Sequence, residues 1–464
     1  MLGKVINMKK YLFLLMSLVV CVSMLAVFSL AGCKAEEAVT EEAPAEEVEA
    51  EEVEPAEEVA EVDTNASFEL NTGYYSDTNI YQESMEATIA KFNEKWPNVN
   101  VISNIYSYQD YAAPLKLAFS SGQGWDMSFV DYNYLQMLLQ YGKLQNLTQV
   151  IKDYGWDTLL VDGAFDNSYD AEGNLLYWSV PTIMVPVCMY YNKDIFAELN
   201  LEKPRTFDEL ANMLPIIKDA GYNGFSMIGS NNVTMLFLMW SLMYGRTTVE
   251  DMDNWYYLRG TSENWKEQFI WAAGVVNDWQ QYYQPNWQGA DWYSEAYAQG
   301  DTAMVVSGDW DMPAFLDSGI NTGAMIIPNR DVPYDPDDPE TSVRIVSSAN
   351  GGWALSAELS PEKTTAAIDL IATFLDPETQ KMWYENGMTP VIKLDTTGIE
   401  VNPIREELNE ELKNTTAGRY LDTAPVPGLV QEFAMISQLM TTGQSTPEEF
   451  WDQFNAYYEA NKPQ

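Results

Sequence analysis

From Ser67 onward the chain alternates short apolar runs at strand spacing with longer runs at helical spacing. Phe68, Glu69 and Leu70 read as a short strand that gives way to a loop over residues 71–77, rich in Tyr and ending at Asp77. Met85, Ile89, Phe92 and Trp96 then recur three and four positions apart up to Pro97, the period of a helix with one apolar face. Val99, Val101 and Ile105 alternate as a second strand, followed by a loop holding Tyr106, Tyr108, Asp110 and Tyr111. Leu115 to Phe119 opens another helix, closed by a Ser/Gly-rich stretch at 120–124, and residues 125–131 form a third strand leading into Tyr132. Repeated strand–helix units of this length predict an α/β fold with a parallel sheet covered on both faces. In such sheets ligands bind outside the carboxyl ends of the strands. The loop over 71–77, the loop holding Tyr106 to Tyr111, and Asp131 with Tyr132 at the end of the third strand fall there, which makes them the candidate ligand contacts.

Further on, residues 170–174 carry a turn signal and 175–181 read as an extended segment leaving it. An apolar run from Met184 to Tyr191 follows and contains Cys188, expected as a small buried hydrophobe. Thr206 is a predicted helix N-cap with Glu209 as its partner three positions on.

Upstream of Ser67 the pattern is different. Lys4, Lys9 and Lys10 precede an apolar run from Tyr11 to Phe28, broken only by Ser17 and Ser23, as in an export signal. The run ends in Leu30-Ala31-Gly32-Cys33, which resembles the bacterial lipobox. That resemblance implies removal of residues 1–32, diacylation of Cys33, and a protein held by lipid on the extracytoplasmic side of the cell membrane. Residues 34–63 are low-complexity Glu, Ala, Val and Pro, with fourteen acidic residues in 35–63. High charge with few large apolar side chains favours an extended tether, so 33–66 is expected to be a lipidated Cys plus a disordered acidic leash.

Composition narrows the chemistry. Among 464 residues there are 25 basic, 69 acidic and no histidines, a net charge of −44 that becomes −47 once residues 1–32 are removed. Such a field repels polyanions and leaves no basic patch, which argues against nucleic acid as a partner. The absence of His removes Ser-His-Asp and Cys-His nucleophiles and His-ligated zinc sites. Of three cysteines, Cys21 lies in the signal and Cys33 would be acylated, so Cys188 has no partner for an intrachain disulfide. The acidic run at 331–340 lacks the spacing and glycine of a calcium loop and reads as a solvated turn. Nothing matches a nucleotide or zinc motif; no metal and no cofactor is expected.

Several motifs in order resemble one family. Residues 190–196, Tyr-Tyr-Asn-Lys-Asp-Ile-Phe, with Lys203 to Leu210 are similar to a "YYNKDLF … PxTWDEL" segment of bacterial extracellular solute-binding proteins, carbohydrate type, of ATP-binding-cassette importers. Residues 297–310 resemble that family's "F-x-x-G-x-x-A-M-x-x-x-G-x-W", and 323–328 its following strand. Asn350-Gly351-Gly352-Trp353, then 360–363, 376–380, 387–390 and 442–448, resemble its closing region. The resemblance covers roughly residues 67–460. It implies a two-lobe, type II periplasmic-binding-protein-like fold, each lobe a mainly parallel sheet flanked by helices, with a ligand cleft between lobes that closes by hinge motion. Crossings near Pro181, near Asn350 and around 395–400 would make 67–180 with 350–395 one lobe and 181–349 with 396–464 the other. The implied protein is a monomeric, non-enzymatic sugar-capture subunit that hands its ligand to membrane permease subunits.

Aromatic faces suit the C–H faces of sugar rings, and nearby Asp and amide groups suit their hydroxyls. The expected contacts in the strand-end loops are Tyr75, Asp77, Tyr108, Asp131 and Tyr132. Farther along they are Trp240, Tyr244 and Trp292, and then Asp309 and Trp310, which Gly308 would expose at a strand-to-helix turn. Gly351, Gly352 and Trp353 complete the set as bare amides beside a ring. Asp126 reads as structural. The competing readings are an exported carbohydrate hydrolase using an Asp/Glu pair, and a binding protein for a peptide or polyamine.

Overall fold

The computed structural model describes residues 63–462 apart from 77–78, 122–123, 140, 162–163, 166–167, 170–174, 231, 257–264, 291–292, 334, 336–342, 350, 414, 419–425 and 427. Residues 1–62, with the expected signal, Cys33 and most of the tether, lie outside the described residues, as do Asp77, Trp292 and the 170–174 turn.

In chain order the strands are β1 (Phe68–Tyr75), β2 (Val99–Tyr106), β3 (Met127–Val130), the short pair β4 (Ser168–Tyr169) and β5 (Leu175–Leu176), and β6 (Val180–Pro181). Then come β7 (Ile183–Asn192), β8 (Asn223–Ser226), β9 (Thr302–Gly308), β10 (Thr322–Met325), β11 (Val343–Ala349), β12 (Gly352–Leu355), β13 (Thr389–Pro390) and β14 (Thr415–Gly418).

Among the described residues these strands form two larger sheets. One has five strands in the order β2-β1-β3-β12-β6; the other has seven, β14-β11-β7-β9-β8 with β10 and β13 also on β7. In the first, β1 runs parallel to β2 and β3, and β12 returns antiparallel between β3 and β6. The second is mixed where the resemblance implied mainly parallel strands. β7 is antiparallel to β9, β10, β11 and β13, and among the described residues only β8–β9 and β11–β14 are parallel. The direction follows from chain entry, because β7 arrives straight from β6 of the first sheet and its neighbours run back toward that sheet.

The predicted helix after β1 spans Asn79–Lys95 and buries Met85 and Phe92, with Trp96 sealed just beyond its end. β1, however, is longer than its apolar start suggests. Residues 71–75 continue the strand, because β1 pairs on both sides and its backbone groups find partners on β2 and β3. Tyr106 likewise ends β2, and Tyr108 and Tyr111 lie in helix Tyr108–Ser120, capped by Ser107, whose Oγ accepts from Asp110 N. Thr206 caps helix Phe207–Asp219 as expected, but Glu209 accepts from Arg205 N at 2.6 Å, one residue earlier than a reciprocal box requires. The reciprocal box occurs at Thr446 and Glu449. Asp126 is a structural anchor, accepting from Asn71 N at 2.8 Å and Lys363 Nζ at 2.7 Å.

The second sheet packs against helix Val233–Tyr244, buried on every side from Thr234 to Tyr244. Trp240, Trp255, Trp265 and Trp451 gather beside it, with successive ring centroids 4.9, 4.8 and 5.0 Å apart. No helix among the described residues is long and apolar enough to cross a membrane.

Candidate functional site

The carboxyl ends of β1, β2 and β3 bring Tyr75, Tyr106 and Asp131 to one edge of the first sheet. Tyr75 meets Tyr111 edge-on at 5.4 Å, Phe129 at 5.5 Å and Tyr134 at 6.1 Å. Trp125 stacks on Tyr111 at 5.6 Å and leans on Tyr106 at 5.8 Å. This stack needs Gly73, since a Cβ there would stand 1.9 Å from the Trp125 ring. Tyr106 and Tyr134 keep part of their surface in solvent, whereas Tyr75, Tyr111 and Trp125 are buried beneath them. The Tyr111 hydroxyl donates to Gly73 O at 2.8 Å, which fixes the base of the stack.

Asp131 caps the helix after β3: its Oδ1 accepts from Tyr134 N, and its main-chain oxygen from Leu135 N, both at 2.8 Å. Burial, with Asp131 and the neighbouring tyrosines adding to it, holds the Tyr75 phenol well above its ordinary range. Burial and then Tyr134 and Asp131 do the same for Tyr111. Both phenols therefore stay neutral, able to donate as well as accept. Gly351 and Gly352 pass directly beside this edge. A Cβ on Gly351, where φ is +93°, would lie 2.4 Å from Val130 O and 2.9 Å from Asp131 N; one on Gly352 would lie 2.5 Å from Val180 O. Asp131, Gly351 and Gly352, three of the expected contacts, lie together here, all of them buried. Tyr108 and Tyr132 begin helices at the same edge.

In the second sheet, parallel β8 and β9 end together. There Trp310 lies against Gly308, whose absent Cβ would stand 1.9 Å from its ring, and 5.9 Å from Phe237. Trp310 is half-buried and keeps one side open. The turn at Gly308 leads through residues 309–311 into the short helix Met312–Asp317, as expected.

Four expected contacts have other surroundings. Asp309 has no exposed surface; its Oδ2 accepts from Thr389 N at 2.9 Å and Thr389 Oγ1 at 2.5 Å, and pairs with Arg405 Nη1 at 3.3 Å. The turn that presents Trp310 outward points Asp309 inward, because consecutive residues of a tight turn face different ways. Trp353 is sealed between Phe129 at 5.4 Å, Phe374 at 5.7 Å and Tyr74 at 6.1 Å. Trp240 belongs to the tryptophan cluster, and Tyr244 is buried with its ring against Gly418. In this conformation none of the four presents a surface to a solute. Conversely, Trp125, Tyr106 and Tyr134 complete the edge. Their presence near strand ends was the available signal, but no spacing separates them from core aromatics.

Two sheets of an α/β body joined by short crossing strands make a type II periplasmic-binding-protein-like fold. Residues 87–394 match the model of the bacterial extracellular solute-binding proteins, and the chain belongs to that exported family. It is 24% identical over 261 residues to the multiple sugar-binding protein of Streptococcus mutans, a match spanning 54% of this chain and 57% of that relative. It is 21% identical over 406 residues to the arabinooligosaccharide-binding protein of Halalkalibacterium halodurans, spanning 82% and 86% of the two chains. Among solved structures it resembles a chitin oligosaccharide binding protein (TM-score 0.72, 18% identity, 85% of this chain and 99% of that one). It also resembles the cyclic alpha-maltosyl-1,6-maltose binding protein of Arthrobacter globiformis (TM-score 0.63, 19% identity, 85% and 99%).

Proposed function

We propose that this protein captures a neutral mono- or oligosaccharide between two lobes, one built on each large sheet, and delivers it to the permease subunits of an ATP-binding-cassette importer without chemical change. The observation that carries the reading is the aromatic edge of the first sheet: Tyr75, Tyr106, Trp125 and Tyr134 around the Asp131 cap. The half-exposed rings of Tyr106 and Tyr134, seated on the buried Tyr75, Tyr111 and Trp125, suit the C–H faces of a pyranose, and their hydroxyls suit those of the sugar. Trp310 at the carboxyl edge of the second sheet supplies a ring from the other side. The carbohydrate names of the relatives point the same way. Lipid on Cys33 and the acidic leash would hold a monomer beside its permease; a leash of thirty residues reaches on the order of 30 Å as a flexible coil.

The test is a thermal-shift and calorimetric screen against chito-, arabino- and malto-oligosaccharides, with spermidine and short peptides as controls. A sugar that binds the folded state raises Tm by mass action, adding about 2.7 kcal/mol at one hundred times Kd. A response to spermidine or peptide alone overturns the sugar assignment, and release of new reducing ends from an oligosaccharide overturns the non-enzymatic one.

A further inference from the structure

The two sheets are joined at places where backbone pairing changes partner from one residue to the next. Pro181 pairs with Gly352 in the first sheet, while Ile183 already pairs in the second, so Thr182 sits between them, buried. Near Pro390 the change is as abrupt. Thr389 is held by Asp309 and by Arg405, whose Nη2 donates to Thr389 Oγ1 at 2.6 Å. Val391 is held by the other half: its oxygen accepts from Val161 N at 2.8 Å, and its N–H donates to Gln380 Oε1 at 2.9 Å.

Gln380 does more than hold Val391. Its Nε2 donates to Thr182 O at 2.8 Å and to Phe374 O at 2.9 Å, so one sealed amide satisfies donor and acceptor at once and touches the flank of both junctions. Its helix, Pro377–Glu385, packs on the first sheet's side through Trp383, which meets Tyr81 at 4.8 Å and donates to Thr88 Oγ1 at 3.1 Å. A residue so placed ties two crossings, 198 and 11 positions away, to one rigid helix. Pro390 has a locked φ, which confines the torsional freedom there to few angles. Hinges of this kind are a few element-terminal residues that absorb φ/ψ change.

We infer that Gln380 is the positioning residue of the hinge: it holds the junctions at Thr182 and Pro390 at fixed spacing, so that the two sheets turn about one axis. This rests on the two-lobe reading above but not on the ligand being a sugar, and its test uses no ligand. Spin labels are placed at exposed positions on a helix of each half, Lys116→Cys and Asp219→Cys, in the full mature chain carrying Cys33→Ser, where buried Cys188 stays unlabelled. Pulsed-dipolar distances are then compared with and without Gln380→Met. A folded Gln380→Met with a broadened or shifted distribution supports the assignment; the same distribution as the parent overturns it. If that variant does not fold, amide exchange of the unaltered protein decides. A Val391 amide as slow as those of β7 supports the assignment, and one as fast as the exposed 395–398 stretch overturns it, because a crossing that opens freely is not being held.

Discussion

Asp309 and Arg405 stand 96 positions apart and meet where neither reaches solvent, with Nη1 of the arginine 3.3 Å from Oδ2 of the aspartate. Thr389 completes the group by donating to the same carboxylate oxygen from its backbone and its hydroxyl. Removing one member of a buried pair leaves an uncompensated charge, at a cost of roughly 3–5 kcal/mol. Arg405→Met should therefore lower the unfolding free energy at pH 7 by that order, read from urea denaturation. A loss well under 1 kcal/mol would show that the pair is dispensable.

The same carboxylate makes stability depend on pH. Burial pushes Asp309 up from 3.8 to about 6, against the pull of Arg405 and Thr389. The folded chain then holds this proton more tightly than the unfolded one, so between about pH 4 and 6 its contribution to stability falls as pH rises. Asp309→Asn has nothing to titrate there. The parent-minus-variant difference in unfolding free energy should decline across that window and level off above it. In an Arg405→Met background the decline should still begin near pH 4, where the unfolded chain titrates, but extend to higher pH, because the group that most lowers the folded pKa is gone. A difference that stays level from pH 4 to 7 would refute the assignment.

Two tryptophans should separate binding from folding. Trp310→Ala removes a half-exposed ring and should weaken sugar affinity on the order of tenfold, about 1.4 kcal/mol, with little change in Tm. Trp353→Ala empties a sealed core position and should cost about 3–5 kcal/mol of stability. Calorimetric titration beside denaturant melts distinguishes them, and the reverse pattern would exchange their roles.

Gly351→Ala should be costly although only a methyl group is added. A side chain at φ +93° is strained, and its Cβ would lie 2.4 Å from Val130 O, which sits in a sheet and cannot easily move. A loss of roughly 1–3 kcal/mol is expected, with weakened ligand binding because Asp131 moves with Val130. A variant as stable as the parent would mean that the crossing can shift.

Cys188 should be chemically silent in the folded protein. It is fully buried, and burial pushes its thiol up to about 12, so almost no thiolate exists at neutral pH. A thiol reagent should modify it only after denaturant is added; rapid labelling of the native chain at pH 8 would contradict this.

How far the sequence could be read follows from the range of each interaction. Helix Asn79–Lys95 was legible because burying one face imprints a period on neighbouring residues. The far half of β1 was not, since Asn71-Thr72-Gly73 looks like a turn and becomes strand only through partners about thirty and fifty-five positions away. At the site, Asp131 at the end of β3 could be derived from topology, whereas Tyr75, expected in the loop after a short strand, is the last residue of β1 itself. The inward turn of Asp309 could not be derived, because nothing near it announces Arg405. Trp240 and Trp353 show the same limit: an aromatic residue's identity and spacing are alike in a core and in a binding face, and only its neighbours differ.

The tryptophan cluster beside helix Val233–Tyr244 has an optical consequence. Indoles whose centroids lie 4.8 to 5.0 Å apart, as for Trp255 with Trp265 and Trp265 with Trp451, couple their electronic transitions when held rigidly in a chiral array. That part of the chain carries its own near-ultraviolet circular-dichroism signature, set by packing and lost when packing is lost. Trp310 and Trp125, at the two edges proposed to meet the solute, lie outside that array, so a change in fluorescence with unchanged near-ultraviolet dichroism would separate ligand arrival from unfolding without any label.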